Sequence, residues 1–292
     1  MKNIVMASNP YRDKNFETAR KAQKILRSVG IHAKLCLAFE AEKNFDCPAG
    51  LQLASLPEEL PGAELLLCFG GDGTILHAAK AAAEAGIPAL GINIGTMGFM
   101  AELESNEMHL LRKLRDDRYT TEARMMLQVE VIRGGEVVWQ ELALNDAVIA
   151  KGAVARIIQL TVVCDGVDVM QVIGDGLILG TPTGSTAYSM SAGGPIVEPT
   201  AHNILITPIC AHDMMTRPFV TSSKRTISAR IGKVGRRNAY LSIDGGKAFK
   251  LSTGDTIQVT RAARDAQLVK LKEQSFFEVV NQKFGTDKRR FL

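Results

Sequence analysis

An α/β domain with a doubly wound, mostly parallel sheet, followed by a β-rich domain, is the fold this chain predicts. Three observations carry that expectation. Up to about residue 120, short apolar runs alternate with stretches of helical period, the pattern of a mostly parallel sheet. From 121 to about 271 the helical period largely disappears, and apolar and polar residues alternate between Gly-marked turns. A length of 292 residues, 46% hydrophobic and 23% charged, exceeds what one core usually holds. The expected division is 1–120 for the α/β domain, 121–271 for the β-rich domain, and 272–292 for a C-terminal helix and tail that packs back on the first domain.

In chain order, residues 4–7 read as a strand ended by Ser8-Asn9-Pro10. Residues 14–29 read as an amphipathic helix with Phe16, Ala19, Ala22, Ile25 and Leu26 on one face. Gly30 stops it and 32–39 makes a second strand. Residues 40–62 look irregular apart from a helical turn at 56–60 with Ser55 as its cap. An apolar run at 65–69 has the length of a fully buried strand and meets the turn Gly70-Gly71-Asp72-Gly73-Thr74. An Ala-rich helix follows, closed by Gly86 and stopped by Pro88, and then a strand at 88–94. Residues 106–117 read as another helix. Beyond 120, Leu127, Val129 and Val131 alternate with polar partners, Gly134-Gly135 turns the chain, and Asp165-Gly166 marks a second hairpin. Further strands are expected at 226–231, 239–243, 256–260 and 268–271, and a helix at 274–284.

Composition narrows the function. A net charge of +4 is too mild to argue for nucleic acid and suits an anionic small substrate. Lys283 with Lys288-Arg289-Arg290 is the strongest basic cluster and reads most simply as a solvated tail. Of five cysteines, three lie in apolar, strand-like runs and should be buried thiols; none has CxxC spacing, so neither zinc nor a disulfide framework is expected. No apolar run reaches membrane-spanning length, and Met1-Lys2-Asn3 leads straight into a strand rather than a signal peptide. A cytoplasmic protein without a membrane partner is the expectation.

Four patches carry chemistry. In the first, Gly70, Gly71, Gly73 and Thr74 can cradle phosphate at a helix N-terminus. Asp72 adds a negative charge there, so it reads as a general base, a ribose acceptor or a metal-side ligand, or else as an N-capping Asp in a tight turn. Phe99, at the next Gly-punctuated strand end, reads either as a stacking face for a planar ring or as a core or hinge Phe. The second patch, 175–191, passes from an aliphatic strand into a hydroxyl-rich run that can cap a helix or present donors to a ligand. The third, Asn145-Asp146, suits an adenine edge or a ribose diol, or forms a bulge or Asx turn. The fourth, Ser242-Ile243-Asp244-Gly245-Gly246, is most simply a hairpin turn.

The order and spacing of these patches, with Gly193-Gly194-Pro195-Ile196, Thr207-Pro208-Ile209-Cys210 and Arg217-Pro218, resemble the bacterial NAD kinases over almost the whole chain. The first patch is shared with lipid kinases and phosphofructokinases; 175–191 narrows the resemblance. It implies transfer of the γ-phosphoryl of ATP to the 2′-hydroxyl of the adenosine ribose of NAD, with Mg²⁺, and with polyphosphate as an alternative donor. By motif position, Asp72 would be the proton acceptor and Gly73 would lie beside the dinucleotide. Asn145 and Asp146 would hold the ribose and adenine side. Asp175, Thr183, Thr186, Ala187, Tyr188, Ser189, Met190 and Ser191 would line the NAD pocket, with Ala187 and Tyr188 against a base. His77 and Arg156 stand where the family often has a ligand-contacting basic residue, and a homodimer or homotetramer is implied. Asp146 stands where Glu is commoner, and Ile173 and Gly246 where some members have polar contacts.

The residues fit this chemistry independently. A sugar hydroxyl must lose its proton as it attacks phosphorus, and a carboxylate can take it. With no GxxxxGK[ST] run, the donor phosphates must be held by turns such as 70–74 together with Mg²⁺. A lipid kinase would need an apolar pocket that a hydroxyl run lines poorly. A non-catalytic dinucleotide sensor would gain little from Asp72, and a Rossmann dehydrogenase would need GxGxxG after the first strand.

Overall fold

The first strand, β1 (Asn3–Ser8), is buried from Ile4 onward and lies between two parallel neighbours. The computed structural model describes residues 3–39, 45, 47–48, 50–95, 98–152, 157–213, 215–232 and 238–285. It divides into two units, Met1–Ala123 with Ala266–Leu292, and Arg124–Asp265. Among the described residues no helix is long and apolar enough to cross a membrane.

In the first unit, a 3₁₀ turn (Lys14–Phe16) leads into α1 (Glu17–Ser28). The expected helix therefore starts late. Asn15 and Phe16 have positive φ, and the buried Asp13 carboxylate caps α1 from outside, accepting from Thr18 N and Ala19 N at 2.9 Å each. Then come β2 (His32–Leu37), α2 (Leu56–Glu59), β3 (Leu65–Gly70), α3 (Asp72–Ala85), β4 (Ala89–Asn93) and the short β5 (Leu103–Glu104). Ser55 precedes α2 but makes no side-chain cap. The helix expected over 106–117 is a 3₁₀ stretch, Met108–Asp116. Its buried residues, Met108, Leu111 and Leu114, recur every third position, the 3₁₀ repeat, and join Ala19, Ala22 and Leu26 of α1 in one core. β6 (Thr120–Arg124) closes this stretch.

The second unit is a two-sheet sandwich built from β7 (Leu127–Arg133), β8 (Glu136–Ala143), β9 (Asp146–Lys151), β10 (Ile158–Cys164), β11 (Val167–Gly174) and β12 (Gly176–Gly180). A 3₁₀ turn (Thr183–Thr186) and α4 (Tyr188–Ser191) interrupt the strands. They resume as β13 (Asn203–Ile209), β14 (Phe219–Ser222), β15 (Ile227–Ile231), β16 (Ala239–Ile243), β17 (Phe249–Leu251) and β18 (Thr256–Arg261). One sheet has the order β11-β10-β15-β18-β7-β8, the other β14-β13-β12-β9-β16-β17. Alternate residues of both, such as Val129, Leu160 and Ile257 against Ile149, Leu177 and Leu241, fill the core between them.

The chain then returns to the first unit. β19 (Ala266–Lys270) pairs parallel with β4, giving the sheet order β2-β1-β3-β4-β19-β6, with β5 on β4. The strand expected at 268–271 in the β-rich domain thus belongs to the first sheet. Its apolar pattern is the same for either sheet; the partner is chosen by Glu102, whose buried carboxylate accepts from Leu271 N at 2.7 Å and Lys272 N at 2.8 Å. α5 (Phe276–Phe284) follows, started by a full capping box between Ser275 and Glu278.

Of the cysteines, Cys36 and Cys68 are buried, Cys164 half-buried, and Cys47 and Cys210 exposed. Burial pushes the Cys36 thiol up to about 11, and Cys68 further still, so neither is a ready nucleophile.

Asp255, 1% exposed, ties the start of β18 to the end of β7 through a two-pronged bond from Arg133, Nε to Oδ1 and Nη2 to Oδ2 at 2.8 Å each, and accepts Ser252 N at 2.8 Å. Burial opposes its ionisation, but these donors outweigh it and hold the carboxyl below its ordinary range. A depressed carboxylate adds stability above its unfolded value, near 3.9, and that stability is lost as pH falls through the folded value. Asp255→Asn is expected to lower Tm at neutral pH, with the gap to wild type shrinking between about pH 5 and about pH 3. Paired melts across that range check this; a constant gap would mean that ionisation contributes nothing.

Candidate functional site

The parallel register aligns the carboxyl ends of three strands in the first unit, pairing Ser8 with Phe69 and Gly70 with Asn93. The loops leaving β1, β3 and β4 therefore meet at one edge, where ligands of open α/β sheets bind. Gly71 is the N-cap of α3 and Thr74 N and Ile75 N return to its carbonyl, so Asp72 is the first helical residue and does not cap. Its carboxylate turns instead to the loop after β4, accepting Phe99 N at 2.8 Å on Oδ2 and Met100 N at 3.1 Å on Oδ1. Gly98 makes this approach feasible, since a Cβ there would overlap the Asp72 carboxylate. Asn9 completes the edge by donating to Thr74 Oγ1 at 2.9 Å and accepting Tyr11 N at 3.0 Å.

Asn9, Arg12, Asp72, Gly73, Thr74 and Lys283 are among the residues lining a cleft of about 510 Å³ here. The helix supplies N–H donors and its positive dipole end. Phe99 contributes its backbone, while its ring packs against Phe276 and Phe284 of α5 with centroids 6.5 and 5.8 Å apart. His77 does not join this cleft. Five positions along a helix turn a side chain through about 140°, and His77 lines a separate, largely apolar cavity of about 630 Å³ with Leu56, Pro57 and Leu60. Asn9, Arg12 and Lys283 escaped the sequence reading. Asn9 and Arg12 follow a strand end beside Gly70, which could have flagged them; Lys283 read as tail and carried no local signal.

In the second unit three of the sequence patches come together. The Asp244 carboxylate, on a positive-φ turn residue, accepts the N–H groups of Leu144, Asn145 and Asp146 at 2.9, 2.8 and 3.0 Å. Thr181 donates through Oγ1 to Leu144 O at 2.6 Å and through its N–H to Asn145 O at 2.8 Å. Gly184 rests on the Asn145 backbone so closely that a Cβ would overlap it. Asp244 thus organises the Asn145-Asp146 turn, a role its hairpin pattern does not reveal.

The hydroxyl run divides. Ser185 bonds both backbone groups of Val197, Ser189 pairs with Thr207 at 2.8 Å, and Thr186 donates to Thr183 O at 3.3 Å. Among the described residues, Thr183 Oγ1 and Asn145 Oδ1 are buried with no partner. Unmatched buried polar atoms are costly, and a ligand hydroxyl or amine would satisfy them. Tyr188 is 46% exposed, Ala187 and Met190 half-buried and Ser191 exposed, while Asp175 pairs with Lys151 at 2.6 Å. Ile173 is partly exposed and Gly246 N closes the 243–246 turn at 2.7 Å. Arg156 lies outside the described residues. Asp146 is 4% exposed; burial, and then the nearby Asp244 carboxylate, push its carboxyl up to about 7.

Known proteins share this construction. Residues 4–119 match the family model for the ATP-NAD kinase N-terminal domain, and 144–271 that for the ATP-NAD kinase C-terminal domain. The NAD kinase of Natranaerobius thermophilus is 39% identical over 286 residues, 97% of this chain and 98% of that one. The NAD kinase of Moorella thermoacetica is 39% identical over 284 residues, 97% of this chain and 89% of that one. The fold is similar to the crystal structure of yeast NADH kinase complexed with NADH, with TM-score 0.85 and 26% identity, covering 98% of this chain and 88% of that one. It is also similar to an NAD kinase from Archaeoglobus fulgidus in complex with ATP, with TM-score 0.71 and 25% identity, covering 98% of both chains.

The raised carboxyl of Asp146 has a pH signature. A group whose folded value lies above its unfolded one contributes stability that is complete below about pH 4 and lost as pH rises through about 7. Asp146→Asn does not titrate, so the variant's Tm is expected to gain on wild type as pH rises from about 4 to about 8. A gap that stays flat across this window would show that Asp146 does not ionise in it.

Proposed function

The chain belongs to the NAD kinase family, and from that premise we propose how its residues share the work of the reaction. It is an NAD kinase, transferring the γ-phosphoryl group of ATP to the 2′-hydroxyl of the adenosine ribose of NAD and giving NADP. Our reading gives the proton to Asp72. As the O2′–P bond forms and the bond from Pγ to the β–γ bridging oxygen breaks, ADP leaves with the electron pair and the ribose proton passes to the carboxylate. The observation that carries this is the clamp on Asp72: each oxygen accepts one backbone N–H and retains a second lone pair. Asp72 is also the one carboxylate among the described residues lining its cleft.

The donor phosphates are assigned to Gly70, Gly71, Gly73 and Thr74 at the open end of α3. Mg²⁺ fits as a companion of ATP. Among the described residues no three His, Cys, Asp or Glu side chains gather into a cage, whereas Mg²⁺ on a nucleotide needs only one or two carboxylates, and Asp72 is available. When bound it would offset charge on the β- and γ-phosphates. Acceptor binding is assigned to the second unit: Asn145 and Asp146 for ribose and adenine, Thr183 through its unmatched hydroxyl, the exposed Tyr188 ring against a base, and Asp175, Thr186, Ala187, Ser189, Met190 and Ser191 around them. Phe99 keeps a positioning part through its backbone, and His77 and Arg156 carry none of the argument. Polyphosphate as a second donor, cytoplasmic operation and a homodimer or homotetramer complete the reading. The exposed Phe219 and Val220 on edge strand β14 support self-association.

Purified protein given NAD, ATP and Mg²⁺ should form NADP, read with an NADP-specific dehydrogenase. Asp72→Asn keeps the side chain's shape, removes its basicity and, since an amide nitrogen cannot accept, gives up one of the two backbone bonds. Turnover should fall about 10²–10⁴-fold while dinucleotide binding, assigned to the second unit, survives. Gly98→Ala should reproduce part of that loss and also lower Tm, because the added methyl displaces the Asp72 carboxylate from the N–H groups of Phe99 and Met100. Full activity in Asp72→Asn would remove the residue from the proton path.

A further inference from the structure

Two cations in the Asp72 cleft have no part in the chemistry above. Arg12 comes from the loop after β1 and Lys283 from the last turn of α5, at opposite ends of the chain. Lys283 is half-buried, with Nζ 3.9 Å from the centroid of the Phe99 ring, the residue whose N–H grips Asp72. Phe276 and Phe284 hold α5 against that same ring. Burial lowers the Lys283 ammonium's pKa and the Asp72 charge opposes this, which puts the two groups within electrostatic reach. Among the described residues neither Arg12 nor Lys283 has a carboxylate ion-pair partner. Lys283, partly desolvated and without a carboxylate partner among the described residues, is stabilised by an anion that enters the cleft, and the exposed Arg12 lines the same cleft. The cleft also holds a carboxylate that would repel phosphate, so a nearby positive charge is what a polyphosphate would need there.

We propose that Arg12 and Lys283 form a two-cation clamp on the phosphates of the donor nucleotide, with α5 as the arm that delivers Lys283. The clamp rests on the NAD kinase reading of this cleft and deepens it. The Arg fork suits paired oxygens, and the Lys ammonium acts as a compact point charge over the transferring group. α5 is then a working part of the donor site. Its capping box and its aromatic contacts serve to hold one ammonium in place.

Full-length wild type, Lys283→Met, Lys283→Arg and Arg12→Gln decide the matter. Met keeps an apolar stem against Phe99 and removes only the charge. Direct titration with ATP, ADP and AMP in the presence of Mg²⁺ should show ATP affinity falling about 10-fold or more in Lys283→Met, with a smaller loss for ADP and least for AMP. Apparent KM for ATP should rise in step, KM for NAD should hold, and Lys283→Arg should recover most of the loss. Unchanged ATP affinity in Lys283→Met overturns the clamp. So does an equal loss for ATP and AMP with a lowered Tm, which would mean that α5 only packs. A wild type that binds ATP but forms no NADP would defeat the kinase reading instead, and the graded titration would still test the clamp.

Discussion

The grip of the Asp72 carboxylate on the N–H groups of Phe99 and Met100 is the contact on which the first unit's functional edge depends. It uses a charged acceptor against two backbone donors, the stronger kind of hydrogen bond, and Gly98 gives it room. By fixing the loop after β4, it sets Phe99 where the aromatic residues of α5 can close on it. Two segments far apart in sequence, the loop after β4 and α5, are thereby held to one α3 N-terminus. Asn9 adds the third by donating to Thr74 Oγ1. The general base proposed for Asp72 needs one orientation, and here that orientation comes from main chain, which is stiffer than a second side chain would be.

The second unit solves a related problem with the opposite economy. Asp244 spends its carboxylate on three successive N–H groups, and that fixes the turn carrying Asn145 and Asp146. Thr181 bonds the same turn from the other side, and the glycine at 184 lets a hydroxyl-bearing segment lie directly on it. Most hydroxyls of that segment are consumed internally, which keeps it rigid. Among the described residues the Thr183 hydroxyl and the Asn145 amide oxygen are buried without a partner, which supports the ligand contacts proposed for them. The Asp146 carboxyl pays for its burial in a raised pKa, and Asp244 adds to the rise while shaping the turn.

Much of the fold was legible because it is written in local periodicity. The run at 65–69, the glycines at 70 and 71, and the Ala-rich stretch closed by Gly86 each point to one element, and they form β3, the N-cap of α3 and α3 itself. Hairpins at Gly134-Gly135 and Asp165-Gly166 follow from turn chemistry alone, and β7–β8 and β10–β11 pair across them. Met108, Leu111 and Leu114 show the limit of this reading. The three-residue repeat also fits an α-helix, because residues at i, i+3 and i+6 span only about 120° of its circumference. His77 was placed by resemblance, and its spacing from Asp72 already put it on another face of α3.

By itself, then, the sequence determined most strands and hairpin turns and the long helices such as α3, though not the 3₁₀ form of 108–116 or the late start of α1. It also determined the family, through motifs whose residues are contiguous. Only the tertiary structure decided partners. Asp244 finds Asn145 across 99 positions and Glu102 finds Leu271 across 169, and no local pattern encodes such pairings. The same holds for β19, whose apolar alternation would suit either sheet and which joins the first because Glu102 receives the chain just beyond it. Lys283 is the plainest case. In sequence it is a basic residue near a basic tail; in the fold, α5 lays its ammonium against Phe99 and into the Asp72 cleft. Periodicity specifies which face of a segment is apolar, whereas the groups that a charge will meet are settled only when distant backbone is packed around it.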